Sequence, residues 1–172
     1  LFSYDADMEW DFGMPWYRPT RIIHVVPGTE QGWRNGSGKW PSYYEDSVKP
    51  VLNIGPGSPT GMLAGRGFKA PAKYQQALYA LDWTFATIYS LHFTPDGASF
   101  KVEKGELVAG AGLPVTDGVI GKDGSMYFAT GGRRGVSHLW RVVYTGSEST
   151  APQPAKKAVH EVRDQLSEFV RN

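Results

Sequence analysis

Apolar and polar positions in this chain change over in short runs, not in long stretches. The runs Arg21 to Val26, Val51 to Ile54, Gly61 to Ala64, Ala77 to Asp82, Thr87 to Phe93, Phe100 to Val102, Gly118 to Ile120, Ser125 to Thr130 and His138 to Tyr144 each predict a strand, and Leu1 to Asp5 reads as another. Glycine (21 residues) and proline (12) punctuate them, and helical periodicity is almost absent before residue 154. Beyond it, Val159, Val162, Leu166, Phe169 and Val170 fall on one face of a helix, with Lys156, Lys157, Arg163, Asp164 and Glu168 mostly off it. The pattern predicts an all-β body over residues 1–146, a polar, proline-bearing linker over 147–154 and an amphipathic helix over 155–172. A helix of that length is marginal alone in water, so its apolar face needs a partner.

Two turns use the same chemistry. In Thr94-Pro95-Asp96-Gly97 the proline sits at the second turn position, and in both that turn and Gly121-Lys122-Asp123-Gly124 the Asp side chain caps the turn and the last glycine supplies a positive φ. Both predict hairpins. A larger period is visible too, because Ser58-Pro59-Thr60-Gly61 returns as Pro114-Val115-Thr116-Asp117-Gly118, about 56 residues on. That offset suits a four-stranded propeller blade plus a long loop. A β-sandwich with ordinary Asp-Gly hairpins is the competing fold. On the propeller reading the chain holds about three blades, whereas a closed ring usually needs four to eight.

Composition removes several functions. Of 172 residues, 18 are Lys or Arg and 17 are Asp or Glu, for a net charge of +1, too weak a field to draw a nucleic acid or an anionic membrane. No run of 18 apolar residues exists to span a membrane. The N-terminus shows no Met, basic n-region or apolar h-region, so the chain reads as a fragment or a processed product. With no cysteine it cannot itself supply a thiolate zinc site, an iron–sulfur cluster or a c-type haem attachment.

Candidate chemistry concentrates between Asp5 and Pro41, where carboxylates, three arginines, a histidine and four tryptophans crowd together. Asp5, Asp7, Glu9 and Asp11 alternate with Ala6, Met8 and Trp10, so an extended backbone would point all four the same way. Such a face needs a cation: calcium, which takes six to eight oxygens, or Arg18, Arg21 and Arg34 as bidentate partners. The spacing is not that of an EF-hand. His24 lies in a β-branched strand and is either a catalytic base or a half-buried histidine bonded to a neighbour; His92, His138 and His160 are weaker candidates. Trp10, Trp16, Trp33, Trp40 and Trp83, with Tyr17, Tyr43 and Tyr44, are either sugar-stacking platforms or wedges between sheets. Trp16 and Trp83 are the preferred ligand contacts, since their glycine, proline, Asp82 and Thr84 neighbours place them near loops. Gly131-Gly132-Arg133-Arg134-Gly135 is either an anion-binding loop or a solvated turn, and it lacks nucleotide-binding spacing.

Taken in order, Asp7 to Asp11, Pro15-Trp16-Tyr17-Arg18-Pro19-Thr20-Arg21 to His24-Val25, Gly32-Trp33-Arg34, Gly38-Lys39-Trp40-Pro41 and Gly57-Ser58-Pro59-Thr60-Gly61 resemble the propeller of large bacterial haem-containing proteins abundant in planctomycetes. That region is itself similar to soluble quinoprotein sugar dehydrogenases. The resemblance covers residues 1–146 and implies about half of a six-bladed β-propeller, with pyrroloquinoline quinone (PQQ) and calcium as cofactors. It also implies a helical-repeat region beginning at 155–172 and a CxxCH haem c domain on another segment. Carrying the family's site roles over residue by residue largely fails: Trp16, Arg18, Arg21, Trp83, Arg133 and Arg134 stay candidate cofactor or ligand contacts from their own surroundings, and Asp5, Asp7, Glu9 and Asp11 candidate metal ligands from their alternation. The family's base histidine belongs to an earlier blade, and no motif makes His24 its equivalent. The resemblance further implies an exported, periplasmic or cell-surface bacterial protein whose partners are the remaining blades, the helical-repeat and haem domains, and carbohydrate.

Two function classes stay open: a redox enzyme oxidising a sugar or alcohol and passing electrons to that haem, and a non-catalytic propeller that binds carbohydrate or protein, or scaffolds the assembly.

Overall fold

The computed structural model describes residues 1–31, 43, 47–132 and 134–154. The helix expected over 155–172, with His160, and Arg133, Trp33, Arg34, Trp40 and Tyr44 lie outside the described residues. Ten strands are found among those described: β1 (Phe2–Asp5), β2 (Thr20–His24), β3 (Leu52–Gly55), β4 (Pro59–Ala64), β5 (Leu78–Asp82), β6 (Thr87–Asp96), β7 (Ser99–Ala109), β8 (Val115–Ile120), β9 (Met126–Thr130) and β10 (His138–Val142), with one short helix, α1 (Ala72–Gln75). They form three antiparallel sheets in chain order, β1-β2-β3, β4-β5-β6-β7 and β8-β9-β10. The chain is all-β, and no helix among the described residues is long and apolar enough to cross a membrane.

The sheets stack face to face. Alternation along β5 sends Ala80 toward the first sheet and Tyr79 and Leu81 toward the third. Tyr4, Ile22, Ala80, Tyr89 and Leu91 make one core; Phe68, Tyr79, Leu81, Ile88, Val115, Met126 and Phe128 lie in the other. The middle sheet is therefore covered on both sides, which accounts for the near-continuous apolar run from Ala77 to Leu81. Fully burying each Ile, Leu, Val, Phe or Met among them stabilises the fold by about 1.5–3 kcal/mol.

The period of 56 residues corresponds to structure. Pro59 and Val115 each open the first strand of a sheet, and each strand carries a register irregularity at the same place, between Pro59 and Gly61 and between Val115 and Asp117. The threonine at each irregularity uses its hydroxyl alike: Thr60 Oγ1 donates to Leu81 O at 3.3 Å and Thr116 Oγ1 to Ala129 O at 3.1 Å.

Some sequence expectations needed correction. β7 runs from Ser99 to Ala109, far beyond Phe100 to Val102. It is the outer strand of its sheet, and Lys101, Glu103, Lys104 and Glu106 suit an exposed edge while masking the strand signal. The first hairpin turns at Gly97 and Ala98, since Asp96 pairs with Ser99 and Pro95 with Phe100. Pro95 is tolerated inside β6 because β5 pairs only as far as Leu91, leaving no partner for a donor there. Residues Asp5 to Asp11 are not extended throughout: after β1 the chain bends into a 3-10 turn at Glu9–Asp11, helped by Gly13 at φ +85°.

Burial pushes the phenols of Tyr4, Tyr79 and Tyr89 above their ordinary range. Because the unfolded chain ionises first, their contribution to stability is complete below about pH 10 and is lost as pH rises beyond it. The urea midpoint should accordingly hold steady up to about pH 10 and then fall, with phenolate absorbance appearing together with loss of the sheet circular dichroism. Titration of these phenols near their ordinary pKa in a still-folded chain would contradict the burial.

Candidate functional site

Antiparallel connection gathers five connections at one end of the stack: residues 6–19, 56–58, 83–86, 110–114 and 131–137. Backbone bonds tie neighbouring ones together. Trp83 N donates to Ser58 O at 3.0 Å, Gly110 N to Ala86 O at 3.3 Å and Gly131 N to Pro114 O at 3.1 Å. The opposite end holds the connections 65–77, 97–98 and 121–125, joined by Lys69 N to Gly124 O at 2.8 Å.

At the first end, Asp82 closes β5 with no exposed surface. Its Oδ1 accepts from Phe85 N at 2.9 Å and Ser58 N at 3.4 Å, and its Oδ2 from the Tyr4 hydroxyl at 3.0 Å. Thr20 Oγ1 donates to Gly55 O at 2.8 Å and lies 3.4 Å from the Tyr4 oxygen. A Cβ on Gly57 would stand 2.2 Å from Asp82 Oδ2, so this carboxylate fits only against a glycine. The network joins β1, β2, the 56–58 link and the 83–86 turn. Sequence reasoning placed Asp82 at the end of a strand and beside Trp83 without giving it a role of its own; the available signal was a carboxylate ending an otherwise apolar strand.

Beside it, half-buried Trp83 donates Nε1 to Gly131 O at 2.8 Å, and Gly132 packs so closely that an added Cβ would lie 3.0 Å from that nitrogen. The structure thus brings Trp83 and the 131–135 loop together, two candidates widely separated in sequence. Arg134 is exposed at φ +67° on that loop. Thr84 Oγ1 reaches Ser58 Oγ at 2.8 Å.

The 6–19 loop occupies the same end. Trp16, half exposed, donates to buried Asp11 Oδ1 at 3.1 Å, and the Tyr17 hydroxyl donates to Asp7 Oδ2 at 2.6 Å. Burial and then the Asp7 carboxylate raise the Tyr17 phenol. Arg18 reaches Tyr17 O at 3.5 Å. Arg21, nearly buried, is engaged by Asp5 Oδ2 at 2.8 Å and by Gln31 O, so it ties β1 and β2 to the start of the following connection. The carboxylates consequently do not form one face: Asp5, Asp7 and Asp11 each have a protein donor, Glu9 is exposed, and no group of three His, Cys, Asp or Glu among the described residues is placed to hold a metal. Arg18 and the exposed Arg134 stand at this same end.

His24 stands at the other end. Its Nδ1 lies 3.2 Å from Ser99 Oγ beside the 97–98 turn, and its ring packs on Phe2 and Phe100 at 5.0 and 5.4 Å. The structure does not bring it to the candidate site. His92 meets the Tyr74 ring at 6.1 Å, and exposed His138 meets Trp140 at 5.8 Å. Large apolar side chains crowd the loop end instead, with Trp10 68%, Phe12 64% and Phe85 51% exposed.

Three antiparallel sheets stacked in chain order, with the first strand of one against the first strand of the next through Thr60 Oγ1 to Val115 O at 2.9 Å, define a propeller-like architecture. The fold of a solved structure from Thermus thermophilus, provisionally named an oxidoreductase (glucose dehydrogenase), is similar: the TM-score is 0.60 at 19% identity, over 81% of this chain and 40% of that one. At that identity the likeness is one of fold, and the chain spans about two fifths of that structure's length. No protein-family model and no curated protein matches the chain.

Proposed function

We propose that this chain forms about half of a six-bladed propeller of the quinoprotein sugar-dehydrogenase type, whose loop end meets a sugar or alcohol. The carrying observation is the fold likeness, which spans 81% of this chain and 40% of the structure provisionally named a glucose dehydrogenase. In this reading the protein is exported, the remaining blades and a c-type haem domain complete the electron path, and PQQ with calcium takes its metal donors from residues beyond those described. The chain's own contribution is positional. Trp83 and Trp16 offer flat surfaces to a sugar ring, and Arg18 and Arg134 offer charge to a carboxylate.

A second reading, a propeller that binds carbohydrate or protein without catalysis, is favoured by the exposed Trp10, Phe12 and Phe85 at the loop end and by His24 standing at the other. Intact mass, absorption spectrum and sugar-dependent dye reduction, measured together on the protein isolated from its own cells, separate the two. A mass well above that of 172 residues with a haem band and turnover is expected for the redox reading. Absence of chromophore and turnover, with saturable quenching of tryptophan fluorescence by oligosaccharide that Trp16→Ala abolishes, would replace it with the second.

A further inference from the structure

The internal repeat assigns a place to every strand. β5 and β9 are the second strands of their sheets: Asp82 pairs with Thr87, and Thr130 with His138, at the start of the third strand. β1 holds the same position, since Asp5 pairs with Arg21 near the start of β2, and Phe2 and Tyr4 face the middle sheet as Tyr79 and Leu81 face the third. On its far side β5 has β4, and β9 has β8. β1 is an edge strand among the described residues. Where its first strand would lie is a groove of about 280 Å³, lined by Phe2, Ser3 and Tyr4 of β1 and by Pro59 to Met62 of β4.

We propose that this groove is a strand-acceptor site, which takes an extended segment antiparallel to β1 that opens with Pro or Val followed by Thr. The sequence preference follows from the two first strands the chain already contains. Thr60 Oγ1 serves both Leu81 O, on its own second strand, and Val115 O, on the next sheet's first strand. Leu81 O corresponds by register to Tyr4 O, and Val115 O to Pro59 O, so a threonine hydroxyl in the groove would share its one proton between Pro59 O and Tyr4 O, as Thr60 does at 2.9 and 3.3 Å. Backbone pairing to the edge supplies the affinity and the threonine fixes the register. The inference rests on the repeat alone and stands apart from the redox reading.

The test is to titrate the isotope-labelled chain with a synthetic peptide of sequence PVTDGVI, the chain's own Pro114 to Ile120, and to follow backbone amide shifts. Saturable shifts confined to residues 2–4 and 59–62 are expected, together with a higher melting temperature. Replacing the peptide's Thr by Val removes a hydrogen bond and should weaken binding about threefold to tenfold. No saturable shift at those residues at millimolar peptide, the range a tethered strand would experience, overturns the proposal. Equal binding of the Val peptide and a scrambled one also overturns it. Shifts at the same residues that grow with protein concentration and without peptide give the groove to a second copy of the chain and overturn it as well.

Discussion

Replacing Asp82 with alanine is expected to cost about 3 kcal/mol or more of folding stability, read as a lower urea midpoint. The carboxylate is fully buried and accepts from the Tyr4 hydroxyl and the Phe85 and Ser58 amides. Removing it leaves buried donors without an acceptor, each at about 1–3 kcal/mol. Asp82→Asn keeps one carbonyl oxygen for the amides and should cost less. Combining Tyr4→Phe with Asp82→Asn should cost less than the two single changes added, because the pair shares one contact. A loss below about 1 kcal/mol for the alanine variant would show that water reaches the site and that the carboxylate does not join the first two sheets.

The second large effect is a contrast between equivalent positions. Ile88 and Leu139 each follow the residue that pairs with the end of the second strand, yet Ile88 is 0% exposed and Leu139 75%. Ile88→Ala should cost about 2–5 kcal/mol through lost transfer energy and the cavity left behind. Leu139→Ala in the same chain should stay within about 0.5 kcal/mol. Denaturant curves of the two variants decide it. Similar costs would mean that the third sheet's outer face is covered, contrary to its exposure.

The strand pattern was legible where a half-buried face imposed alternation or a buried one imposed a continuous apolar run, as in β2, β5, β6 and β9. The Pro-Thr repeat was legible because a threonine at an irregular register position does a specific job twice. β7 was largely hidden, since an outer edge strand selects charge that reads as loop. The alternation from Asp5 to Asp11 misled for a related reason: period two in a polar segment implies a strand only where a neighbouring strand extends to receive it, and β2 begins at Thr20 opposite the end of β1. At the candidate site, Trp83 was legible from its loop-bordering neighbours. Its bond to Gly131, and the Tyr4 to Asp82 bond across 78 positions, depend on the stacking of sheets, which no local pattern carries.

The bond from Thr60 to Val115 O lies on the seam between the first strands of two sheets, where a Cβ added at Gly118 would stand only 3.2 Å from the Leu63 and Leu81 methyls. Farther along the same interface the spacers are Tyr79, Phe128 and Phe68. The packing is thus thinnest at the first strands and thickens toward the second, so these two sheets meet as a wedge. A methyl added at Gly118 would press on both leucines at the thin edge of that wedge, where the side chains have the least room to give.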